Sequence, residues 1–283
     1  MVRLITGATG NVGSLVVDRL VARGERPRVF ARDAEKARAR FGDRVDVVVG
    51  DLERPASLRA ALEGVDSLFL VNSGPGLEIR DEEAARSAKD AGVKHLVKLS
   101  SIDAREQNVG TGVWHAKGEA AIAASGVGYT FVQPSGFMSN ALYWARAIKA
   151  EGVVSSATGD GRIPFIHPND IAEVSVAGLT LPEYVGQSLG ITGPEALTYA
   201  EMGAKIGAAI GRTIAFRAIT DEEARAQQVA WRAPPEMGEA RLSIFRAIRL
   251  GRLAAVTDTV ERVLGHVPIR FDRWARENAE AFR

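Results

Sequence analysis

Three glycines near the N-terminus constrain the fold of this chain more than any other feature. Gly7, Gly10 and Gly13 stand between an apolar run, Val2–Thr6, and a stretch with the spacing of an amphipathic helix. At such a junction glycine allows a tight turn, a close approach of the backbone to a ligand, and close packing of helix on strand. The start of the helix also offers free amides to an anion. The motif predicts a diphosphate site, the alternative being glycines that serve the turn alone.

Short apolar runs alternate with amphipathic helical stretches through the first half of the chain. Several runs are apolar at consecutive positions, which is typical of strands buried on both faces of a parallel sheet. Alternation of strand and helix with right-handed crossovers predicts a doubly wound, Rossmann-like α/β fold. The predicted strands are Val2–Thr6, Arg28–Ala31, Val45–Val49, Ser67–Val71, His95–Leu99 and Tyr129–Gln133.

The pattern changes after Gln133, which suggests a second region. We expect residues 1–150 to form an NAD(P)-binding Rossmann-like domain, with a strand and helix at about 165–192 returning to it. Residues 193–283 are expected to form a small, mainly helical lid that binds the substrate. A helix is expected at about 140–150.

The composition excludes several classes of protein. Lys and Arg number 36 against 35 Asp and Glu, so there is no basic excess of the kind that nucleic-acid binding requires. Without cysteine, disulfides and thiolate sites are excluded, and the four scattered histidines predict no metal site. We expect no signal peptide, and no apolar run approaches the roughly 20 residues of a membrane helix. We expect a soluble cytoplasmic monomer or homodimer that does not bind membranes.

The residue after the second predicted strand bears on the choice between NADP and NAD. NAD-selective folds place a carboxylate there to hold the ribose 2′-hydroxyl. This chain has Arg32, which suits a 2′-phosphate, and Lys36 adds a positive charge one helical turn later. NADP(H) is therefore the predicted cofactor. Asp33 is expected to cap the next helix; if it faces the ribose instead, NAD is the alternative. A separate alternative is that Arg32 and Lys36 are merely solvated.

Further cofactor contacts are expected where the strands end, because open α/β sheets bind ligands at their carboxyl edge. Asp51 either accepts a hydrogen bond from the adenine amino group or is a simple turn residue. Asn72 and Ser73 are expected beside the ribose and diphosphate, and Ser100 beside the nicotinamide or substrate. The predicted cofactor residues are Gly7, Thr9, Gly10, Asn11, Val12, Gly13, Arg32, Lys36, Asp51, Leu52, Asn72, Ser73, Ser100, Lys117, Pro134 and Ser135.

The segments Thr6–Gly13, Arg32–Asp33, Gly50–Leu52, Ala91–Val97 and His115–Pro134 together resemble the atypical short-chain dehydrogenase/reductase superfamily. The chain is most similar to its NmrA-like group, which includes NADPH-dependent quinone and triphenylmethane-dye reductases. The resemblance is specific over residues 2–140. It implies an oxidoreductase that transfers hydride from NADPH to a conjugated small molecule such as a quinone, dye or enone. The alternative is a non-catalytic NADP(H)-sensing regulator that acts through a protein partner.

In hydride-transferring relatives, a Tyr-x-x-x-Lys pair serves the nicotinamide. Lys117 corresponds to that lysine, and the resemblance implies that it is the catalytic residue, whereas Val113 stands where the tyrosine would be. Simple ketone reduction and sugar-nucleotide epimerisation are therefore disfavoured. A conjugated acceptor spreads charge without a dedicated proton donor, so that binding geometry is its main requirement. A surface lysine is the alternative for Lys117.

Four residues are expected to form an apolar pocket for a flat aromatic substrate, although ordinary core packing would explain each of them as well. They are Phe137, Met138, Trp144 and Trp231. His115 is expected to be structural, because an offset of two residues points it about 200° away from Lys117 on a helix. Glu119 is expected to be a solvated helix residue. His167 precedes a helix and is expected to lie outside the site. The alternative is that it points into the cleft from its loop.

Overall fold

A seven-stranded parallel sheet forms the centre of the molecule, as seen in the computed structural model, which describes residues 1–106 and 109–283. Within these ranges its strand order is β3-β2-β1-β4-β5-β6-β8. This is the order of a doubly wound sheet, and it confirms the fold class predicted from the sequence. The remaining two strands, β7 and β9, pair parallel to each other. The strands are β1 Arg3–Ile5, β2 Arg28–Ala31, β3 Asp46–Val49, β4 Ser67–Val71, β5 His95–Leu99, β6 Gly128–Pro134, β7 Val153–Ser156, β8 Gln187–Ile191 and β9 Ala215–Ala218.

Helices cover both faces of this sheet and form most of the C-terminal region. The packing of α1 against α7 covers one face, and α3, α4 and α5 cover the other. No described helix combines the length and the apolar character that crossing a bilayer would require. The helices are α1 Gly13–Ala22, α2 Ala34–Phe41, α3 Pro55–Ala61, α4 Leu77–Asp90, α5 Gly112–Ala124, α6 Ala145–Glu151, α7 Pro168–Thr180, α8 Tyr199–Ile210, α9 Asp221–Ala230, α10 Pro235–Arg249, α11 Thr259–Leu264 and α12 Phe271–Glu277.

The central strands are apolar at consecutive positions because both of their faces are buried. In β4, Phe69 packs into the core beneath α1 and α7, whereas Leu68 and Leu70 pack into the core beneath α3 to α5. All three side chains are fully buried. The predicted bounds of β2, β4 and β5 agree residue for residue with the structure.

The C-terminal region has its own apolar core, which draws on residues from Met138 to Phe165 as well as from Leu197 onward. The short strands β7 and β9 were not predicted, because four-residue strands between helices leave little alternating pattern. The expected helix at about 140–150 begins instead as a 3₁₀ turn, Met138–Trp144, and becomes α-helical only in α6. The domain division at residues 150 and 193 stays a prediction.

A fully buried ion pair ties the middle of the sheet to its flanking helices. Lys98 on β5 and Asp81 on α4 are both inaccessible to solvent, and Nζ lies 2.5 Å from Oδ2. The other carboxylate oxygen accepts a hydrogen bond from Asn72 at 3.1 Å. Gly118 lets α5 cover the pair, because a Cβ there would overlap Asp81. A charge in this position is tolerated only while its partner is present.

Asp81→Ala is expected to lower the free energy of unfolding by about 3–5 kcal/mol, because it leaves the ammonium of Lys98 buried without a counter-charge. Urea unfolding followed by circular dichroism measures the loss. The double replacement of Asp81 by Leu and Lys98 by Met removes both charges, and is expected to be more stable than the single variant. A loss of less than about 1 kcal/mol in the single variant would contradict this account.

Candidate active site

Two cavities lie at the carboxyl edge of the sheet. The glycine-loop cleft, of about 290 Å³, is lined by Gly7, Arg32, Asp51, Asn72 and their neighbours at the ends of β1 to β4. The aromatic cavity, of about 330 Å³, lies where β5 and β6 end, and its lining includes Ser100, Phe137, Trp144, Tyr199 and Trp231. Because β4 and β5 are adjacent in the sheet, the strand ends that line the two cavities are neighbours.

The glycine loop presents backbone amides at the start of α1. Gly7 adopts a left-handed φ of +60°, and a Cβ at Gly13 would overlap the backbone of Gly7. Among the described residues, the amides of Thr9, Asn11 and Val12 donate to no backbone carbonyl. Unpaired amides at the positive end of a helix dipole suit the diphosphate of a dinucleotide. The loop therefore fits the predicted cofactor.

Two side chains fix the loop to its surroundings. Val12 is buried in the core beneath α1 and α7. Asn11 donates from Nδ2 to Ser139 Oγ at 2.6 Å, in the 3₁₀ turn that follows β6. The glycine loop is thus tied to the chain segment that also supplies residues of the aromatic cavity.

Arg32 lies at the edge of the glycine-loop cleft as an exposed cation. It also lines an adjoining cavity of about 140 Å³ together with Arg54. Arg26, at the opposite end of β2, pairs with Asp46 at 2.7 Å, whereas no described carboxylate pairs with Arg32. An unpaired guanidinium beside the cleft is suited to a phosphate group.

Asp33 caps α2, as predicted. Its carboxylate accepts a hydrogen bond from the backbone N–H of Lys36 at 2.9 Å. This bond directs the carboxylate to the helix and removes the argument for a ribose-binding acid at this strand end. The side chain of Lys36 is exposed and lines neither cavity, so its contact with the cofactor stays a prediction.

The polar groups at the end of β4 are held by a residue that the sequence analysis missed. Arg80 on α4 lines the glycine-loop cleft and donates to Asn72 Oδ1 at 2.9 Å and to the Ser73 carbonyl at 2.8 Å. The amide of Asn72 donates in turn to the carbonyl of Leu77 at 2.8 Å. Arg80 belongs to no motif, and its place follows only from the packing of α4 beside β4.

Asp51 builds its own turn within the cleft. Its carboxylate accepts a hydrogen bond from the N–H of Glu53 at 3.1 Å, and its own N–H donates to Ser57 Oγ at 3.0 Å. Asp51 and Leu52 both line the glycine-loop cleft. The structure thus supports a turn role for Asp51 and also places it where the adenine contact was predicted.

Aromatic rings form much of the wall of the second cavity. Tyr199 lies at its centre, with ring centroids 4.9 Å from Trp144, 5.9 Å from Phe165 and 6.4 Å from Phe245. Of the four predicted substrate residues, Phe137, Trp144 and Trp231 line this cavity. Met138 does not, because it is fully buried in the C-terminal core, with its N–H bonded to the Ile166 carbonyl. Its predicted substrate contact has no support from this geometry.

Glu119 organises the polar floor of the aromatic cavity. It accepts hydrogen bonds from Ser100 Oγ at 2.5 Å and from Gln133 Nε2 at 2.8 Å. Burial raises its pKa against the opposing effect of these hydrogen bonds and of nearby Lys98 and Arg105. The expectation of a solvated helix residue is therefore wrong. Pro134 and Ser135 also line the cavity, and the Ser135 hydroxyl donates to the Pro164 carbonyl at 2.5 Å.

Two titratable side chains line the cavity beside Ser100. Burial lowers the pKa of His115 to about 3, with the charge of Lys98 acting in the same direction, so that the imidazole is neutral. Its Nδ1 is buried and has no hydrogen-bond partner in the part of the chain that the structure describes. Burial raises the pKa of Asp103 to about 6, the Ser101 hydroxyl opposing the shift and Glu106 adding to it.

Lys117 lies on the opposite side of α5, exposed and outside both cavities. The offset of two residues predicted that His115 and Lys117 cannot share one site, and His115 is the one turned inward. The predicted catalytic and cofactor roles of Lys117 therefore have no support from this geometry. His167 also lies elsewhere: it caps α7 and contacts Glu277 at 3.1 Å.

The fold and the two cavities define a dinucleotide-binding protein with an adjoining ring-lined pocket. Residues 7–182 match the NAD(P)H-binding protein family, and the chain belongs to that family. It is 40% identical to the (4-alkanoyl-5-oxo-2,5-dihydrofuran-3-yl)methyl phosphate reductase of Streptomyces griseus, covering 99% of this chain and 98% of the relative. It is 37% identical to an NAD(P)H azoreductase of Xenophilus azovorans, with the same coverage.

Solved structures share the fold over nearly their whole length. The NADPH-dependent quinone oxidoreductase of Escherichia coli superimposes with a TM-score of 0.88 at 23% identity, covering 98% of this chain and 99% of that one. The triphenylmethane reductase of Citrobacter gives 0.87 at 22% identity, covering 99% of each chain. The resemblance to this group of reductases, first drawn from sequence motifs, is confirmed.

Arg32→Ala is expected to weaken NADPH binding by about tenfold and to leave NADH binding within about twofold, because only NADPH carries a 2′-phosphate. Fluorescence titration of both nucleotides with parent and variant measures the difference. Arg38→Ala, on the exposed side of α2, is the control and should change neither affinity. Equal affinities of the parent protein for NADPH and NADH would contradict the predicted role of Arg32.

Asp103→Asn is expected to stabilise the protein increasingly as the pH rises. Between the ordinary pKa of 3.8 and about 6, the folded parent holds a proton at Asp103 that the unfolded chain has lost. Its free energy of unfolding therefore falls as the pH increases through this window, and the Asn variant lacks that loss. We expect the difference between the two to grow by about 1–3 kcal/mol from about pH 4 to about pH 7.

Urea unfolding at several pH values tests this expectation. Glu63→Gln, which removes an exposed carboxylate, is the control and should give a nearly constant difference. A stability difference between Asp103→Asn and the parent that does not change with pH would show that Asp103 ionises normally.

Proposed function

We propose that the protein is an NADPH-dependent oxidoreductase that reduces a conjugated acceptor such as a quinone, a dye or an enone. The observation that carries this proposal is the position of the ring-lined cavity directly beside the glycine-loop cleft, at the ends of adjacent strands. Bound in the cleft, the cofactor supplies two electrons as hydride. The relatives support the proposal, since they include a phosphate-ester reductase, an azoreductase and a quinone oxidoreductase.

In this proposal, the glycine loop and Arg32 hold the cofactor. The free amides of Thr9, Asn11 and Val12 bind the diphosphate, and Arg32 binds the 2′-phosphate. Ser100, held by Glu119 at the end of β5, lies where the cleft gives way to the aromatic cavity. These contacts orient the reacting parts, which is the main contribution that a hydride transfer needs from the protein.

The cavity is suited to acceptors that do not need a strong proton donor. Val113 stands at the position of the usual tyrosine, and burial raises the pKa of Tyr199 well above its ordinary value, so this phenol holds its proton tightly. A quinone spreads the added negative charge over its conjugated system. The balanced reaction is quinone, NADPH and one proton giving hydroquinone and NADP⁺, with the proton taken from water.

We place the reaction in the cytoplasm, since the chain has no cysteine that an oxidising compartment would pair. For the assembly we propose a monomer or a homodimer. The lid role of residues 193–283 is supported by Tyr199, Trp231 and Phe245, which wall the cavity on that side.

The purified protein is expected to oxidise NADPH steadily with at least one member of a panel of quinones, azo dyes and conjugated enones. Loss of NADPH absorbance and product chromatography measure turnover. Tight NADPH binding in calorimetry together with no turnover of any acceptor would overturn the reductase proposal and favour the NADP(H)-sensing regulator.

Two variants locate the site within this assay. Trp144→Ala removes a ring from the cavity wall and is expected to raise KM by about tenfold. Lys117→Ala is expected to leave kcat/KM within about twofold, because that side chain is exposed and lies outside both cavities. A large loss in Lys117→Ala with the NADPH affinity unchanged would restore the catalytic role predicted from the sequence.

A further inference from the structure

A single guanidinium interrupts the rings at the outer end of the aromatic cavity. Arg241, on α10, is half-buried and lines the cavity. Its guanidinium carbon lies 5.4 Å from the ring centroid of Tyr143 and 5.9 Å from that of Trp231. These two rings are stacked on each other at 6.5 Å. The cation is therefore held in a fixed place by the same residues that form the entrance.

Arg241 differs from the other arginines of its helix in having no acidic partner. Arg246 and Arg249 both pair with Asp221, at 2.6 and 3.1 Å. Arg241 instead donates to the neutral amide oxygen of Gln228 at 2.7 Å, and no described carboxylate pairs with it. Gln228 is only 3% exposed, so the guanidinium is positioned by a buried group that leaves its charge uncompensated.

Asp103 supplies the carboxyl group that lines the same cavity, and it lies at the inner end, beside the sheet. Asp103 follows β5 and interacts with Ser101 and Glu106, and Arg241 is not among the charges that act on its pKa. The charge of Arg241 acts instead on Tyr199. The cavity is thus polar beside the sheet, ring-lined in the middle and positively charged at its outer end.

We propose that Arg241 binds an oxyanion carried by the acceptor, so that the preferred acceptors are flat conjugated molecules with a carboxylate, sulfonate or phosphate group at one end. This inference rests on the reductase proposal and adds the charge of the substrate to it. The conjugated part occupies the space between Phe137 and Trp144, near the strand ends, while the anion reaches the guanidinium. Arg241 is suited to this role because its planar donors match an oxyanion and it is partly withdrawn from water.

A matched series of three azo dyes tests the proposal: p-dimethylaminoazobenzene, which is neutral, its para-carboxylate and its para-sulfonate. They share one chromophore and differ in the charged end group. Steady-state reduction with NADPH is measured for the parent protein, Arg241→Met and Arg241→Lys. We expect Arg241→Met to lower kcat/KM for both anionic dyes by about tenfold or more, mainly through KM, and to change the neutral dye by less than about twofold. Arg241→Lys should restore part of the loss.

Arg246→Met, which removes a cation from the same helix without altering the cavity lining, is the control. An equal loss with all three dyes in Arg241→Met would assign Arg241 a purely structural role in the entrance and overturn the proposal. No loss with any dye would also overturn it. A loss confined to the carboxylate or to the sulfonate would identify which oxyanion the site accepts.

Direct binding separates this inference from the reductase proposal. Equilibrium dialysis of the three dyes against the protein saturated with NADP⁺ gives their affinities without turnover. If no dye is reduced but both anionic dyes bind more tightly than the neutral one in an Arg241-dependent way, the anion site stands and the proposed reaction fails. If Arg241→Met binds each of the three dyes as tightly as the parent protein does, the anion site is overturned, whatever the turnover.

Discussion

The direct contact between the start of α1 and the turn at Gly7 is the constraint on which the rest of the structure depends. No side chain fits at Gly13, and Gly7 has a left-handed backbone. In the turn that joins β1 to this helix, the amides of Thr9, Asn11 and Val12 donate to no backbone carbonyl of the described residues. That geometry places an anion site at the centre of the sheet edge. The ends of the neighbouring strands form the rest of the glycine-loop cleft around it.

The buried pair of Lys98 and Asp81 extends this order to the adjoining strands. Lys98 lies two residues before Ser100, and Asp81 holds Asn72 by a hydrogen bond. One ion pair thus links the strand that ends at the aromatic cavity to a residue of the glycine-loop cleft. Because both charges are removed from water, the pair contributes little net stability. Losing one partner is costly, however, so β5, α4 and α5 must pack in a way that keeps the two together.

The aromatic cavity is assembled from parts of the chain that are distant in sequence. Ser100 comes from the sheet, Trp144 from the turn after β6, Tyr199 from α8 and Arg241 from α10. The sheet end of this cavity adjoins the glycine-loop cleft, whereas its outer end belongs to the C-terminal helices. In the proposed reaction, the edge of the sheet therefore sets the chemistry and the helical region sets the choice of acceptor.

The sequence by itself determined the features that depend on neighbouring residues. The glycine loop, the bounds of β2, β4 and β5 and the Asp33 cap follow from local backbone geometry and from apolar runs. Only the tertiary structure decided which side of α5 faces the site, and it turned His115 inward and left Lys117 in solvent. The same holds for Glu119, Arg80 and Arg241. Their roles arise from contacts between distant elements, which no local pattern records.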